Sequence, residues 1–408
     1  MVNSSGRFST TIYPSPSCPE LSQNAKRAAD EALSRALVWI ACITYLAGYA
    51  GYCFSEALGL VRYLVYAVPP ILVTSLMFGS NSTGNKAALV FLVGYLWLAS
   101  MWYLVGIKHA DFFLNEFVIM ALIIACFVPV MNVEISQIRL VFLCSIGYFA
   151  LAYSLTEHGG VRLFQILESG TGSGMESGFD NHQGGLLGPI YAVFMYAIGA
   201  KIQFVLALVM SFLGGKRVGV IAILIGLTTF FVFRRAAMLK QRHSRFLVLL
   251  GILGVVNLAA SNLIVLAEYL HSAFRVNVDI EEVMLGRYAI GSEMNRVMHH
   301  RPLAESLVGS GPGSANALAT LVSDGTLKQP HNDWLRIRYD YGVVGSIIMT
   351  TFIAFVFSSS TTGAVIAVTN AVMMVTDNIL IYLYYQIPIV VMLSYSALRE
   401  CRAKRQVN

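Results

Sequence analysis

The stretch QPHNDWLRIRYDYGVVGSII, residues 329–348, sets one histidine, one asparagine, one tryptophan, two arginines and two aspartates against the start of an apolar run. An imidazole titrates near neutral pH and suits a general base, and guanidiniums suit phosphate. Pro330 is read as the first turn of a helix, which places His331 and Asn332 at a helix N-terminus. Free N–H groups and the positive end of the helix dipole favour a phosphate or pyrophosphate there. At helical spacing His331, Leu335 and Arg338 share a face, while Arg336 and Asp340, four apart, form a candidate pair. Anchoring at lipid headgroups is the plain alternative for Arg336 and Arg338. Trp334 reads either as a sugar platform or as part of a boundary aromatic belt.

Three other segments carry chemistry. The tight turn FLGGKRVGV puts Lys216 and Arg217 between two apolar runs, as snorkelling cations or as an anion site. The amphipathic stretch from Met284 to Leu303 contains Arg287 near its start. In VGSGPGSANA, Gly309, Gly311 and Gly313 offer backbone amides able to turn toward an anion, or form a plain turn. That glycine segment follows no strand, so a dinucleotide-binding fold is excluded. His299 and His300 are adjacent and point to different helix faces, which disfavours a metal pair, and no metal or cofactor is expected.

These residues hang on an apolar frame. Of the 408 residues, 56% are hydrophobic and 12% charged, against about a quarter charged in a water-soluble domain. The apolar runs have helical length rather than ten-residue alternation, so a β-barrel is excluded and the fold class is all-α, a polytopic membrane protein. Runs between polar breaks predict about twelve transmembrane helices, some short enough that residues 202–213 read as a half-helix. Residues 1–35 are expected to form a disordered cytoplasmic tail without a cleaved signal peptide. Residues 36–398 form the transmembrane domain, with outward loops 156–185 and 268–340, and 399–408 form a basic cytoplasmic tail.

Lysine and arginine set the orientation. With the N-terminus inside, sixteen of the 28 positive residues fall on the inner side, five (Arg62, Lys108, Arg162, Lys216, Arg217) in outer short or medium loops and seven in the largest loop. Both termini are therefore expected in the cytoplasm. The net charge of +6 follows from this asymmetry and gives no reason to expect a nucleic-acid partner. The six cysteines lie in apolar runs or tails, implying no disulfide framework.

Taken in order, Arg217 in GGKR, Arg287 in GRYAIG, the GSGPG segment, and HNDWLRIRYDYGVVG closing on Asp340, Gly342 and Gly345 resemble the bacterial O-antigen polymerase and O-antigen ligase family. The resemblance covers roughly the C-terminal half of the chain, and the His-Asn segment is its most specific part. Lys216 stands where that family commonly has serine, and Asp340 where it often has glutamate. The resemblance implies an inner-membrane glycosyltransferase with its active site facing the periplasm and undecaprenyl-pyrophosphate-linked glycan as substrate. It implies a metal-independent reaction without a nucleotide sugar, and a chain-length regulator protein as a partner. Arg217 and Arg287 would hold the pyrophosphate, His331 would act as base or phosphate ligand, and Asn332, Arg336, Arg338, Lys216, Trp334, Gly311 and Gly313 would bind substrate. Polymerase of an O-antigen or exopolysaccharide is the first reading and ligase to lipid A core the second. A polysaccharide or lipid carrier is a third reading, and it predicts internal repeats and buried ionisable groups near mid-membrane.

Overall fold

The computed structural model describes residues 18–54, 60–77, 110–127, 133–155, 182–214, 216–265, 269 and 287–407. The expected span at 87–107, most of loop 156–185 and the first part of loop 268–340 lie outside these residues. Among the described residues the chain is helical and contains no strand.

In chain order the helices are α1 (Cys18–Cys53), a 3-10 turn (Val61–Ala67), α2 (Val68–Met77), α3 (Ala110–Phe127), α4 (Ile135–Leu155), α5 (His182–Ile198), α6 (Lys201–Leu213) and α7 (Arg217–Arg235). A 3-10 turn (Ala237–Lys240) leads to α8 (Arg242–Ser261), followed by α9 (Arg287–His299), α10 (Leu303–Val308), α11 (Ser314–Val322), α12 (Asp333–Phe357) and α13 (Thr361–Met373). A last 3-10 turn (Ile379–Ile381) precedes α14 (Leu383–Val407). The chain is helical from Cys18, so α1 covers part of the segment 1–35 read from sequence as a disordered tail.

Five helices contain stretches long and apolar enough to cross a membrane: Ala28–Gly51, Ile135–Ala152, Val218–Arg235, Arg242–Ser261 and Asp333–Phe357. Helix α6, with 13 residues, extends roughly 20 Å at 1.5 Å per residue, short of the roughly 30 Å hydrocarbon core. Ile202, Phe212, Leu224, Val255, Leu258 and Ile347 are exposed, while Asp333, Asp340, Asp377, Arg245 and Arg336 are buried. Apolar side chains outside and paired charges inside are what a lipid environment requires.

Helix α12 is central. Helix α8 packs along it, α7 packs on α13, and α5 pairs with α6. Its start is fixed by Asn332, whose side-chain oxygen accepts the Leu335 N–H at 3.0 Å as an N-cap. Its far end is held by buried Arg245 of α8. That guanidinium donates to the Ser358 carbonyl at 3.0 Å and the Lys240 carbonyl at 3.0 Å, and pairs with Glu400 of α14 at 2.9 Å.

Helix α12 breaks at Gly342, whose φ is 66° and ψ −167°. The loop between α10 and α11 crosses here, and a Cβ on Gly342 would sit 2.4 Å from the Leu307 carbonyl oxygen. At the break, backbone carbonyls of α12 turn to the loop: Tyr339 accepts from Ser310 N–H at 3.2 Å and Asp340 from Gly311 N–H at 2.8 Å. Only glycine fits so close an approach at positive φ.

Candidate functional site

The residues before α12 carry the site. His331 has a left-handed φ of 51°, and the helix starts two residues later, so Pro330 and His331 lie outside it instead of forming its first turn. Asn332 is fully engaged in structure, capping α12 with its oxygen and donating its amide to the Ala260 carbonyl at 3.0 Å at the end of α8. Asn332 therefore locks α12 to α8, and His331 projects from that fixed point.

The loop between α13 and α14 is clamped onto the same point. The Asp333 backbone N–H donates to the Met374 carbonyl at 2.9 Å, and the Asp333 carboxylate accepts the Leu380 N–H at 2.8 Å. Asn378 donates its side-chain amide to Gln329 at 3.1 Å. Between these anchors sits Asp377, 1% exposed, with one carboxylate oxygen 3.8 Å from His331 Nδ1 and the other ion-paired to the Lys216 ammonium. The oxygen facing His331 also accepts the Asn378 N–H at 2.9 Å.

Lys216 is the N-cap residue of α7, and its stem lies against the first turn of α5. A Cβ on Gly185 would come within 2.8 Å of Lys216 Cγ and of the Gly214 carbonyl, so this glycine is what lets the lysine in. Burial by itself pushes the Asp377 carboxyl up. The adjacent His331 imidazole and Lys216 ammonium outweigh it and hold the group well below the usual carboxylate range. The result is an ionised carboxylate beside an imidazole whose buried Nδ1 has no hydrogen-bond partner among the described residues. A carboxylate facing one ring nitrogen leaves the other ring nitrogen as the one able to accept a proton from a substrate.

The other sequence-predicted residues separate into three groups. Arg336 donates to Glu116 of α3 at 2.7 Å and to Asp333 at 2.8 Å, and does not pair with Asp340. Asp340 instead accepts the Gly313 N–H at 3.1 Å and the Ala315 N–H at 2.7 Å, so the Gly311 and Gly313 amides meet Asp340 and no external anion. Trp334 is fully buried, with its indole N–H on the Ala371 carbonyl at 3.0 Å, which leaves no face for a sugar. These residues build the scaffold.

Arg217 and Arg287 are the first residues of α7 and α9, and their side chains lie outside the described residues. Arg217 directly follows Lys216 in the chain. Arg338 forms the third group: it is partly exposed and lines a groove between α8 and α12.

Sequence reasoning missed Asp377 and Glu116. Each is a lone carboxylate among apolar residues, in MMVTDNIL and FFLNEFVIM, and an ionisable group in such a setting marks a functional or paired position. A scan against family models finds no match for this chain, and a search of characterised proteins finds no relative that matches it.

Proposed function

We propose that the protein is a membrane glycosyltransferase that moves a glycan from a polyprenyl pyrophosphate to a sugar hydroxyl on the outer face of the bacterial inner membrane. The observation that carries this reading is the His331–Asp377–Lys216 cluster, a proton acceptor, a carboxylate and a cation gathered at one end of a bundle of apolar helices. A lipid-linked donor places its pyrophosphate at that level. The charge asymmetry of the loops supports an outward-facing site with both termini in the cytoplasm.

The acceptor hydroxyl oxygen attacks the anomeric carbon as the bond from that carbon to the pyrophosphate oxygen breaks, and the pyrophosphate leaves with the electron pair. The hydroxyl proton passes to His331, oriented by Asp377. A positioned base of this kind contributes about 100- to 10,000-fold. Arg217 and Arg287 hold the pyrophosphate and stabilise its growing charge, each charge-assisted bond worth about 1.5–3 kcal/mol. The reaction uses no nucleotide sugar and no metal.

The acceptor of first choice is a second lipid-linked repeat, making the protein a polymerase of an O-antigen or exopolysaccharide. The purified protein is given a defined lipid-linked repeat, with and without lipid A core, in the presence of a chelator. Extension without core supports the polymerase, and product only with core makes it a ligase. No transfer to either acceptor, with passage of the lipid-linked unit across a bilayer, makes it a carrier and removes the roles given to His331, Arg217 and Arg287.

A further inference from the structure

Helices α8 and α12 face each other across a groove of about 430 Å³. Leu258 on one side and Val343 and Ile347 on the other give it apolar, exposed walls. Gly254 opens its α8 side, where an added Cβ would meet nothing within 4 Å. Along α8 the lining runs from Leu250 to Ser261, roughly 16 Å at 1.5 Å per residue.

Three features distinguish it from an ordinary lipid-facing seam. One end is marked by Arg338, which has no ion-pair or hydrogen-bond partner among the described residues, whereas Arg245, Arg301 and Arg336 each bond protein groups. Ser346 lines the groove and its buried hydroxyl has no partner among the described residues. The Arg338 end also adjoins the candidate site: Ser261 lines the groove, and the carbonyl of the preceding Ala260 accepts the Asn332 amide, one residue from His331.

We propose that this groove holds the first isoprenoid stretch of a polyprenyl phosphate lipid, with Arg338 facing its phosphate charge. The inference rests on the transferase reading and identifies the path of the lipid tail away from the His331 site. The unpaired guanidinium supplies charge complementarity at the headgroup end, and continuity with Asn332 selects a lipid whose phosphate lies at the site over a bulk phospholipid.

The test uses the full-length protein in nanodiscs and a polyprenyl pyrophosphate carrying a photoactivatable diazirine in its first isoprenoid units. Peptide mapping is expected to place the label on α8 and α12. Labelling is expected to fall at least fivefold in Gly254→Leu, which fills the groove, and in Arg338→Ala, with partial recovery in Arg338→Lys. Unlabelled undecaprenyl phosphate is expected to compete, and phosphatidylglycerol is not. Label on other helices, undiminished label in both Gly254→Leu and Arg338→Ala, or equal competition by phosphatidylglycerol overturns the proposal. If a variant fails to fold, judged by its unfolding temperature, the mapped position in the wild type decides. Groove labelling together with absent glycan transfer upholds the groove and removes the transferase reading.

Discussion

The guanidinium of Arg336 lies 2.7 Å from the carboxylate of Glu116, joining the first turns of α12 to a helix 220 residues earlier in the chain. Both side chains are buried, and the other Glu116 oxygen accepts the Asn316 amide at 2.7 Å, which brings α11 into the same network. The pair fixes the helix that follows His331 and engages the Arg336 guanidinium with protein carboxylates.

Removing the cation of a buried ion pair strands its carboxylate, a change that costs about 3–5 kcal/mol, whereas removing Glu116 leaves Arg336 paired with Asp333. Arg336→Met is expected to destabilise more than Glu116→Ala, because it leaves two carboxylates, Glu116 and Asp333, without their cation. Thermal unfolding of the detergent-purified variants measures this; equal unfolding temperatures for both variants and the wild type would show that the network holds nothing together.

Asp377→Asn is expected to lower the transfer rate at least tenfold with little change in donor KM, because it removes the group facing His331 and leaves the arginines in place. A rise in KM at constant kcat would reassign Asp377 to donor binding.

Because Lys216 and His331 hold the Asp377 carboxyl below its ordinary range, the unfolded chain, at about 3.9, takes up the proton first as pH falls. The stabilisation is therefore complete above that unfolded value and is lost as pH drops through the lower folded one. The difference in unfolding temperature between wild type and Asp377→Asn is expected to stay constant from about pH 8 to about pH 5 and to shrink only in stronger acid. In Lys216→Met the loss is expected to begin at higher pH. A difference that already shrinks near neutrality would contradict an ionised Asp377.

Trp334→Phe keeps most of the buried packing and loses the indole bond to Ala371, at a cost of about 1 kcal/mol. Donor and acceptor KM are expected to stay at wild-type values, since the ring is enclosed. A large rise in acceptor KM with unchanged stability would restore Trp334 as a sugar platform.

Gly342→Ala places a Cβ against the Leu307 carbonyl at positive φ, costing about 1–3 kcal/mol from the backbone alone. Gly251→Ala, on α8 with nothing within 4 Å of its added Cβ, is the control and is expected to unfold at or slightly above the wild-type temperature. Equal behaviour of the two variants would mean that the α12 break is not imposed by the crossing loop.

The sequence by itself determined the class of molecule. Long apolar runs with few charges allow helices and little else in a lipid environment, and five of the helices are long and apolar enough to cross one. It also signalled a helix beginning near HNDWLRIRYDYGVVG, but with Pro330 and His331 in its first turn, whereas Asn332 caps the helix and His331 precedes it. The glycine segment was legible only as a turn or as amides able to face an anion, and in the structure those amides meet the protein's own Asp340. Tertiary structure alone decided which charges are free. Arg336 and Arg338 are two residues apart and chemically identical, yet one is enclosed by Glu116 and Asp333 and the other opens on the groove beside α8. Two residues turn a helix by about 200°, so which neighbour each side chain meets depends on how the other helices pack around it. Lys216 and Asp377, 161 residues apart, meet beside His331 for the same reason: ion pairs between helices follow the packing, and no local spacing in the chain records them.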